Sequence, residues 1–270
     1  METNHFKDKV VIITGGARGI GKNIAHAFGL LGAIVVICDI SVDSGELAVA
    51  ELQGFGIKAH YLQVDLRKTD ASSSLIQKIM AQHGRLDVVV NNAKAGQRLD
   101  FYDETEDNWQ VAIDVILKAA FFVSQAAIPA IEKSGGGCIV NISSVLGSLC
   151  GHGGCESPGY HVAKAGLMQL TRYLAINAGR HKVRINCVAP GFIVQDEHKA
   201  RYQRADNALY REVAEFCHPL EHVGCSDDVA KAVLYLCSPD SAFVTGQCLT
   251  VDGGLTLQEQ SSIVFAYSSK

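Results

Sequence analysis

The sequence predicts a doubly wound α/β fold, in which a parallel β-sheet lies between two layers of helices. Short apolar runs rich in β-branched residues alternate along the chain with amphipathic helical patterns, as in repeated βαβ units. The apolar runs are nearly continuous, which is typical of strands that are covered on both faces. The length of 270 residues and the hydrophobic content of 48% supply enough material for one such domain.

Seven strands are predicted, and each is an apolar run bounded by glycine or polar residues. In chain order they are Val10–Thr14, Ile34–Asp39, Ala59–Val64, Asp87–Asn91, Cys138–Ile142, Val183–Val188 and Leu249–Val251. The helical patterns between them occupy residues 20–31, 43–54, 70–83, 105–132, 159–179 and 226–238. No internal repeat, low-complexity tract or flexible linker divides the chain, so one domain is expected over residues 1–270.

Composition and charge argue against several classes of function. The formal net charge of −4 gives no basic surface for a nucleic acid, so no nucleic-acid partner is expected. The start of the chain lacks the apolar core of a signal peptide, and no apolar run approaches the roughly 18 residues of a membrane helix. We therefore expect a soluble, cytoplasmic protein with no membrane contact.

The nine cysteines include no Cys-x-x-Cys pair, and most lie in or beside apolar runs, where a thiol behaves as a small hydrophobic group. A disulfide framework is therefore not expected. Cys150, His152 and Cys155 cluster in a glycine-rich stretch, but no fourth residue has the spacing of a zinc ligand. We expect no metal and interpret this stretch as a loop that carries thiols.

A glycine-rich turn, Thr-Gly-Gly-Ala-Arg-Gly-Ile-Gly over residues 14–21, follows the first predicted strand. Gly15, Gly19 and Gly21 allow the backbone to approach a ligand closely, and the helix that follows presents free N–H groups and its positive dipole end. This strand–turn–helix arrangement is the context that the diphosphate of a dinucleotide requires. The spacing Gly-x-x-x-Gly-x-Gly differs from the commoner Gly-x-Gly-x-x-Gly.

Asp39, at the end of the second predicted strand, bears on which dinucleotide is bound. A carboxylate there accepts hydrogen bonds from the adenosine ribose hydroxyls and repels a 2′-phosphate. Arg18 in the turn is the opposing signal, because a guanidinium pairs well with such a phosphate. We expect NAD rather than NADP. Asp65, after the third strand, is expected to meet the adenine edge, to cap the next helix, or both.

Tyr160 and Lys164 lie one helical turn apart on the same face of a predicted helix. The pKa of a free tyrosine is about 10, so a neighbouring ammonium that favours the phenolate would bring it closer to neutral pH. Such a tyrosine can act as general acid or base when a carbonyl is reduced or an alcohol oxidised. Ser144, after the fifth strand, can donate to the same substrate oxygen, with Ser143 as its rival.

In this order the motifs resemble those of the classical short-chain dehydrogenases/reductases over about residues 7–254. The matching landmarks are Thr14–Gly21, Asp39, Asp65, Asn91–Ala93, Ser144, Tyr160, Lys164, Pro190–Gly191 and Val251–Gly254. The resemblance implies a single dinucleotide-binding catalytic domain with a seven-stranded Rossmann-type sheet. It also implies assembly as a homo-oligomer, either a tetramer or a dimer.

The resemblance further implies roles for individual residues. Ser144, Tyr160 and Lys164 would be catalytic, with Ser144 preferred over Ser143 and with Lys164 also holding the nicotinamide ribose. Besides the glycines of the turn, the cofactor would contact Arg18, Ile20, Asp39, Asp65, Leu66, Asn92, Tyr160, Lys164 and Ile193.

Three positions depart from the family pattern. Ile116 stands where the family has an asparagine that helps retain a water, so the proton relay from solvent to the lysine would be missing or rerouted. Lys94 replaces a glycine, and its side chain is expected either in solvent or near the cofactor phosphate or ribose. Gln195 stands where a threonine commonly meets the cofactor carboxamide, and its amide could do the same.

Three further segments bear on the substrate and on assembly. The loop 150–158 is longer than the family spacing and would border the pocket, with His152 or Glu156 in reach of the substrate. The polar segment 195–217 is interpreted as a lid over the pocket or as a solvated pair of helices. The tail 258–270 carries apolar residues and is expected to pack on a neighbouring subunit or to fray.

The predicted function is therefore an NAD-dependent oxidoreductase that interconverts a secondary alcohol and a ketone on a small or medium organic molecule. Two other functions stay open. One is a dinucleotide-binding regulatory protein with weak catalysis, which Ile116 and Lys94 favour. The other is a lyase or isomerase that uses the tyrosine beside a resident cofactor. The sequence does not identify the substrate.

Overall fold

The computed structural model describes residues 5–151 and 155–269. The strands are β1 (Val10–Thr14), β2 (Ile34–Asp39), β3 (Lys58–Gln63), β4 (Val88–Asn91), β5 (Gly137–Ile142), β6 (Val183–Pro190), β7 (Ile193–Val194), β8 (Gly224–Cys225) and β9 (Cys248–Val251). Seven of them form one parallel sheet in the order β3-β2-β1-β4-β5-β6-β9, which confirms the predicted fold class. The short strands β7 and β8 pair separately and were not predicted, because two residues show no periodicity.

The helices predicted from the sequence are present with bounds that differ by one residue or less. They are α1 (Gly19–Leu30), α2 (Val42–Gly54), α3 (Thr69–His83), the pair α4 (Glu106–Ala112) and α5 (Ala119–Lys133), α6 (Pro158–Ala178) and α9 (Ser226–Cys237). Segment 195–217 contains α7 (Asp196–Tyr202) and α8 (Ala208–Phe216), and the tail contains α10 (Gln260–Ser268).

Helices cover both faces of the main sheet. On one face, Phe28 of α1 and Val233 of α9 belong to the same buried apolar cluster as alternate residues of the strands. On the other face, Ile79 of α3, Val123 of α5 and Leu174 of α6 form a second buried cluster. Burial on both sides explains why the strands read as continuous apolar runs in the sequence.

The helical run Glu106–Lys133 joins α4 to α5 through a π-helical segment, Ile113–Lys118. Among the described residues, only this run is long and apolar enough to cross a membrane, judged by length and composition alone. Asp114 and Lys118 interrupt this run, so the sequence shows no continuous apolar stretch there. Its apolar residues serve two packing surfaces, since α5 lies on the sheet while α4 and the π segment contact α6.

The order of the strands creates a crevice at the carboxyl edge of the sheet. β1 lies between β2 and β4, and the helices that follow β1 and β4 pack on opposite faces. Such a switch point is where open α/β sheets bind their ligands. The glycine-rich turn after β1 and the serines after β5 both emerge there.

At the opposite edge of the sheet, Asp87 ties the start of β4 to the start of β1. Its buried carboxylate accepts hydrogen bonds from Arg85 Nε at 2.8 Å, from the Val10 N–H at 2.9 Å and from Lys9 Nζ at 3.1 Å. Burial by itself would raise the pKa of this carboxyl, but the hydrogen bonds from Arg85, Val10 and Lys9 hold it below its ordinary value.

We predict that Asp87→Asn lowers the free energy of unfolding by about 3 kcal/mol at neutral pH, because buried donors lose a charged acceptor. Urea denaturation measures this loss. The ionised carboxylate stabilises the fold above the pKa of an unfolded aspartate, and this contribution disappears as the pH falls through the lowered folded pKa. The two proteins should therefore converge in acid. Asp8→Asn, at an exposed pair with Lys58, is the control and should change stability far less.

Candidate active site

One large cleft, with a volume of about 1040 Å³, opens at the carboxyl edge of the main sheet. Every residue that the sequence singles out as catalytic or cofactor-binding lines it, except Gly19. These lining residues are Gly15, Arg18, Ile20, Gly21, Asp39, Asp65, Leu66, Asn92, Ser144, Tyr160, Lys164 and Ile193. The fold thus brings together residues that are far apart in the sequence.

The glycine-rich turn is packed so closely that side chains would not fit. Gly15 has a φ of +61°, and a Cβ added there would lie 2.8 Å from the Ala93 Cα. A Cβ on Gly21 would collide with the Gly15 carbonyl oxygen. The Asn92 amide braces this turn by donating to the carbonyl oxygens of Thr14 and Gly15 at 3.0 and 2.9 Å. A bare backbone at a helix N-terminus fits the diphosphate of a dinucleotide.

Gly19 begins α1 and lies beneath the segment 195–217. The Gln195 side chain lies against its Cα, and Asn23 Nδ2 donates to Asp196 Oδ2 at 2.9 Å. The start of α7 therefore covers the start of α1. This segment is a pair of helices, and its residues Gln195 and Tyr210 line the cleft. Its role as a lid stays a prediction.

The Asp39 carboxylate lies at the end of β2, beside the glycine-rich turn. It accepts hydrogen bonds from the Ala17 N–H at 3.4 Å and from the Ser41 N–H at 3.2 Å, which fixes it beside the turn. Arg18 is exposed and lines the same part of the cleft. The cleft thus contains both Asp39, which favours NAD, and Arg18, which favours NADP.

Asp65 forms an ion pair with Arg67 and does not cap the following helix. Arg67 pairs with it through two hydrogen bonds, Nε to Oδ1 at 2.9 Å and Nη2 to Oδ2 at 2.7 Å. The hydrogen bond from Arg67 lowers the pKa of the Asp65 carboxyl. The prediction of a helix cap was wrong, since α3 begins at Thr69 with Lys68 as its N-cap. Arg67 also lines the cleft, and no motif in the sequence pointed to it.

Tyr160 is held at the start of α6, opposite Ser144. The helix begins at Pro158, and the Ser157 hydroxyl caps it by accepting from the Tyr160 N–H at 3.2 Å. Ser144 follows β5, and its hydroxyl forms a hydrogen bond with the Tyr160 side chain that lowers the pKa of the phenol. The two hydroxyls therefore converge on one point in the cleft, where a substrate oxygen can sit.

The structure separates the two candidate serines. The Ser143 hydroxyl donates to the Lys164 carbonyl oxygen at 2.8 Å and is buried. This bond ties the end of β5 to α6 and so helps to fix the distance between Ser144 and Tyr160. Ser143 is therefore a positioning residue, and Ser144 is the serine whose hydroxyl meets the phenol.

The ionisation of Tyr160 differs from the sequence-based expectation. Burial raises the pKa of its phenol to about 12, against the opposing effects of Ser144 and Arg98, while Glu156 raises it further. Burial likewise lowers the pKa of the Lys164 ammonium to about 7. The Lys164 Nζ lies 5.4 Å from the centre of the Tyr160 ring. The effect of burial therefore outweighs that of the neighbouring charges, and the pKa of the phenol stays above its ordinary value.

Lys164 is sealed on the side of the π-helical segment. Its Nζ donates to the Ile142 carbonyl oxygen at 2.5 Å, and the side chain is almost fully buried. Ile116 packs with Ala163 and Leu167 of α6 in a small apolar cluster. A small gap between the π-helical segment and the carboxyl ends of β1 and β4 is lined by Thr14, Asn91, Val115 and Ile116. Ile116 has no polar atom that could bind a water, and the missing or rerouted relay through position 116 stays a prediction.

The Lys94 side chain is half exposed to solvent, which agrees with one of the two places expected for it. Its Nζ lies 5.5 Å from the centre of the Tyr160 ring and pairs with Glu156 Oε1 at 3.2 Å. Arg98 pairs with the same oxygen, with Nη2 at 3.1 Å. Glu156 lines the cleft beside Cys155, as the reading of loop 150–158 anticipated, whereas His152 lies outside the described residues.

The tail packs on its own chain. Tyr267 of α10 contacts Phe216 at the end of α8 with ring centres 5.1 Å apart, and Gln258 Nε2 donates to the Cys217 carbonyl oxygen at 2.8 Å. Val264 and Phe265 remain exposed.

The described ranges contain no group of three or more His, Cys, Asp or Glu side chains arranged to hold a metal ion.

Comparison with known proteins agrees with this geometry. A family model described as enoyl-(acyl carrier protein) reductase matches residues 15–256. A 3-oxoacyl-[acyl-carrier-protein] reductase, FabG, of Chlamydia muridarum is 38% identical over 249 residues, covering 92% of this chain and 97% of that protein. The chain belongs to the short-chain dehydrogenase/reductase family.

Other members of the short-chain dehydrogenase/reductase family differ in what they act on. A 7alpha-hydroxysteroid dehydrogenase of Bacteroides fragilis is 34% identical over 261 residues, and the aligned region covers 94% of this chain and 96% of that protein. The crystal structure of gox2181 superimposes with a TM-score of 0.84 at 30% identity, covering 96% of this chain and 99% of that one. The chain is thus a family oxidoreductase that binds a nicotinamide dinucleotide and acts on a small molecule.

We predict that Lys164→Met raises the free energy of unfolding on the order of 4 kcal/mol at pH 6, because the folded protein no longer buries an ammonium. The pKa of Lys164 is about 7 when folded and 10.5 in its ordinary state. As the pH rises from 7 to 10.5, the folded wild type has already released the Lys164 proton, whereas the unfolded chain still holds it. The free energy of unfolding of the wild type therefore increases, and its difference from Lys164→Met shrinks.

Urea denaturation at pH 6 and pH 9 measures both proteins in this comparison. Lys231→Met, at an exposed pair with Asp227, is the control and should show no such convergence. A Lys164→Met difference that stays constant over this pH range would contradict the buried-charge explanation.

Proposed function

We propose that the protein is an NAD-dependent oxidoreductase that interconverts a secondary alcohol and a ketone on a small or medium organic substrate. The observation that carries this proposal is the convergence of the Ser144 and Tyr160 hydroxyls beside Lys164, in the cleft that also contains the glycine-rich turn. A substrate oxygen placed between the two hydroxyls is in reach of a proton donor and of a second hydrogen bond.

The roles of the three residues follow from their contacts. Tyr160 gives its proton to the substrate oxygen in reduction and takes it back in oxidation. Ser144 donates a hydrogen bond to the same oxygen and supports its negative charge as the bond order changes. Lys164, anchored on the Ile142 carbonyl, carries a positive charge at the ring whenever it is protonated. A nicotinamide held in this cleft would supply or take up the hydride, and its oxidised form would add positive charge that favours the phenolate.

The preference for NAD rests on Asp39. Two backbone N–H groups hold its carboxylate at the end of β2, so a 2′-phosphate on the ribose would meet a fixed negative charge. Arg18 is exposed, so a pair with a phosphate there would be screened by solvent.

Tyr160→Phe should lower the rate of hydride transfer by about a thousandfold while leaving cofactor binding intact, because only the proton donor is removed. The absorbance of the reduced nicotinamide, followed with a panel of alcohols and ketones, measures the rate. Tyr173→Phe, on the exposed side of the same helix, is the matched control. Substrate-dependent turnover that persists in the Tyr160 variant would refute the assignment.

Asp39→Asn should lower the ratio of kcat/KM for NAD to kcat/KM for NADP at least about tenfold, a change of roughly 1.4 kcal/mol. The amide keeps an oxygen for the two backbone donors but removes the charge that repels the 2′-phosphate. Initial rates with both cofactors give the ratio, and Asp43→Asn, at the exposed start of α2, serves as the control. An unchanged ratio would mean that Asp39 does not contact the ribose.

A further inference from the structure

The substrate end of the cleft carries an excess of positive charge. Among the described residues that line it around Tyr160, the charged side chains are Lys94, Arg98 and Lys164 against a single carboxylate, Glu156. Asp39, Asp65, Arg18 and Arg67 lie at the other end, beside the glycine-rich turn and β3. A cleft lined mainly by one sign of charge concentrates ligands of the opposite sign.

Glu156 does not neutralise its two partners fully. Lys94 Nζ, Arg98 Nε and Arg98 Nη2 all reach the same oxygen, Oε1, at 3.1–3.2 Å. By contrast, Arg67 grips both oxygens of Asp65 at 2.7 and 2.9 Å, which is the geometry of a complete guanidinium–carboxylate pair. Arg98 therefore keeps donors that can take a second anion.

The positions of the three groups indicate where that anion lies. The Glu156 side chain is 13% exposed, whereas those of Lys94 and Arg98 are 50% and 65% exposed. The carboxylate thus sits inside the cleft, and the two cations reach it from the rim. A negative group is stabilised at this point, a short distance from the Tyr160 ring.

We propose that Lys94 and Arg98 form a subsite for an anionic group of the substrate, and that Glu156 competes with this group for them. The proposal rests on the proposed function, since it names the class of molecule that reacts at Tyr160. The substrate is then a small oxo acid or hydroxy acid whose carboxylate is a few bonds away from the reacting carbon. The rest of the substrate would contact apolar residues that line the same cleft, among them Val111, Leu146 and Leu255.

Two substitutions with opposite effects on the binding of an acid distinguish this subsite from a contact that only holds the loop in place. Arg98→Gln removes a cation and should weaken the binding of an acid at least about fivefold. Glu156→Gln keeps the shape of the side chain but removes the competing charge, so it should tighten the binding of the same acid about fivefold. A tether that only holds the loop would be weakened by either substitution, and neither would tighten binding.

The experiment uses two probes that share one carbon skeleton, acetoacetate and its neutral methyl ester. Calorimetric titration into the full chain with excess oxidised NAD measures binding, because a ketone cannot be reduced under these conditions. The expected result is that wild type binds the acid more tightly than the ester, and that this ratio falls in Arg98→Gln and rises in Glu156→Gln. Lys231→Gln, on the exposed side of α9, is the control.

Three results would each overturn the subsite. The ester binds as tightly as the acid, neither probe binds, or Glu156→Gln binds the acid more weakly than wild type. The failure of the proposed function looks different. In that case no alcohol or ketone changes the absorbance of the nicotinamide, while the titrations still report whether the anion binds.

Discussion

The proposed catalytic arrangement depends on the burial of one ammonium group, that of Lys164, between β5 and α6. Lys164 has its charge in a place that excludes water, and the Ile142 carbonyl is its hydrogen-bond acceptor. The same contact aligns the first turns of α6, from which Tyr160 points toward Ser144. Because burial disfavours the charged form of the lysine, the fold spends stability to keep a cation at the phenol.

The Lys164 ammonium and the Tyr160 phenol affect each other's pKa less than their spacing in the sequence suggests. Each loses solvation on its own, so the pKa of the lysine falls while that of the tyrosine rises. A tyrosine in this state holds its proton and is ready to donate it, as the reduction of a carbonyl requires. The opposite direction needs more positive charge at the ring, which the oxidised nicotinamide of this family supplies.

The departures from the family pattern act on opposite sides of Tyr160. Ile116 closes the helix side with apolar packing, whereas Lys94 brings a second ammonium to the open side. The two changes leave the cleft, with Glu156 inside it and Arg98 at its rim, as the polar side of the phenol. Charge at the substrate end of this cleft is therefore arranged by residues from two different loops.

Much of the fold and of the cofactor site follows from the sequence by itself. Continuous apolar runs identify the strands because both faces of the sheet are covered, and the glycines of the turn are required because a Cβ would collide with backbone. Only the tertiary structure decided that Lys94 pairs with Glu156 and that Ser143 and Ser144 have separate tasks. These contacts depend on which loops meet at the edge of the sheet and on how deeply each charge is buried, and neither quantity is encoded in local spacing.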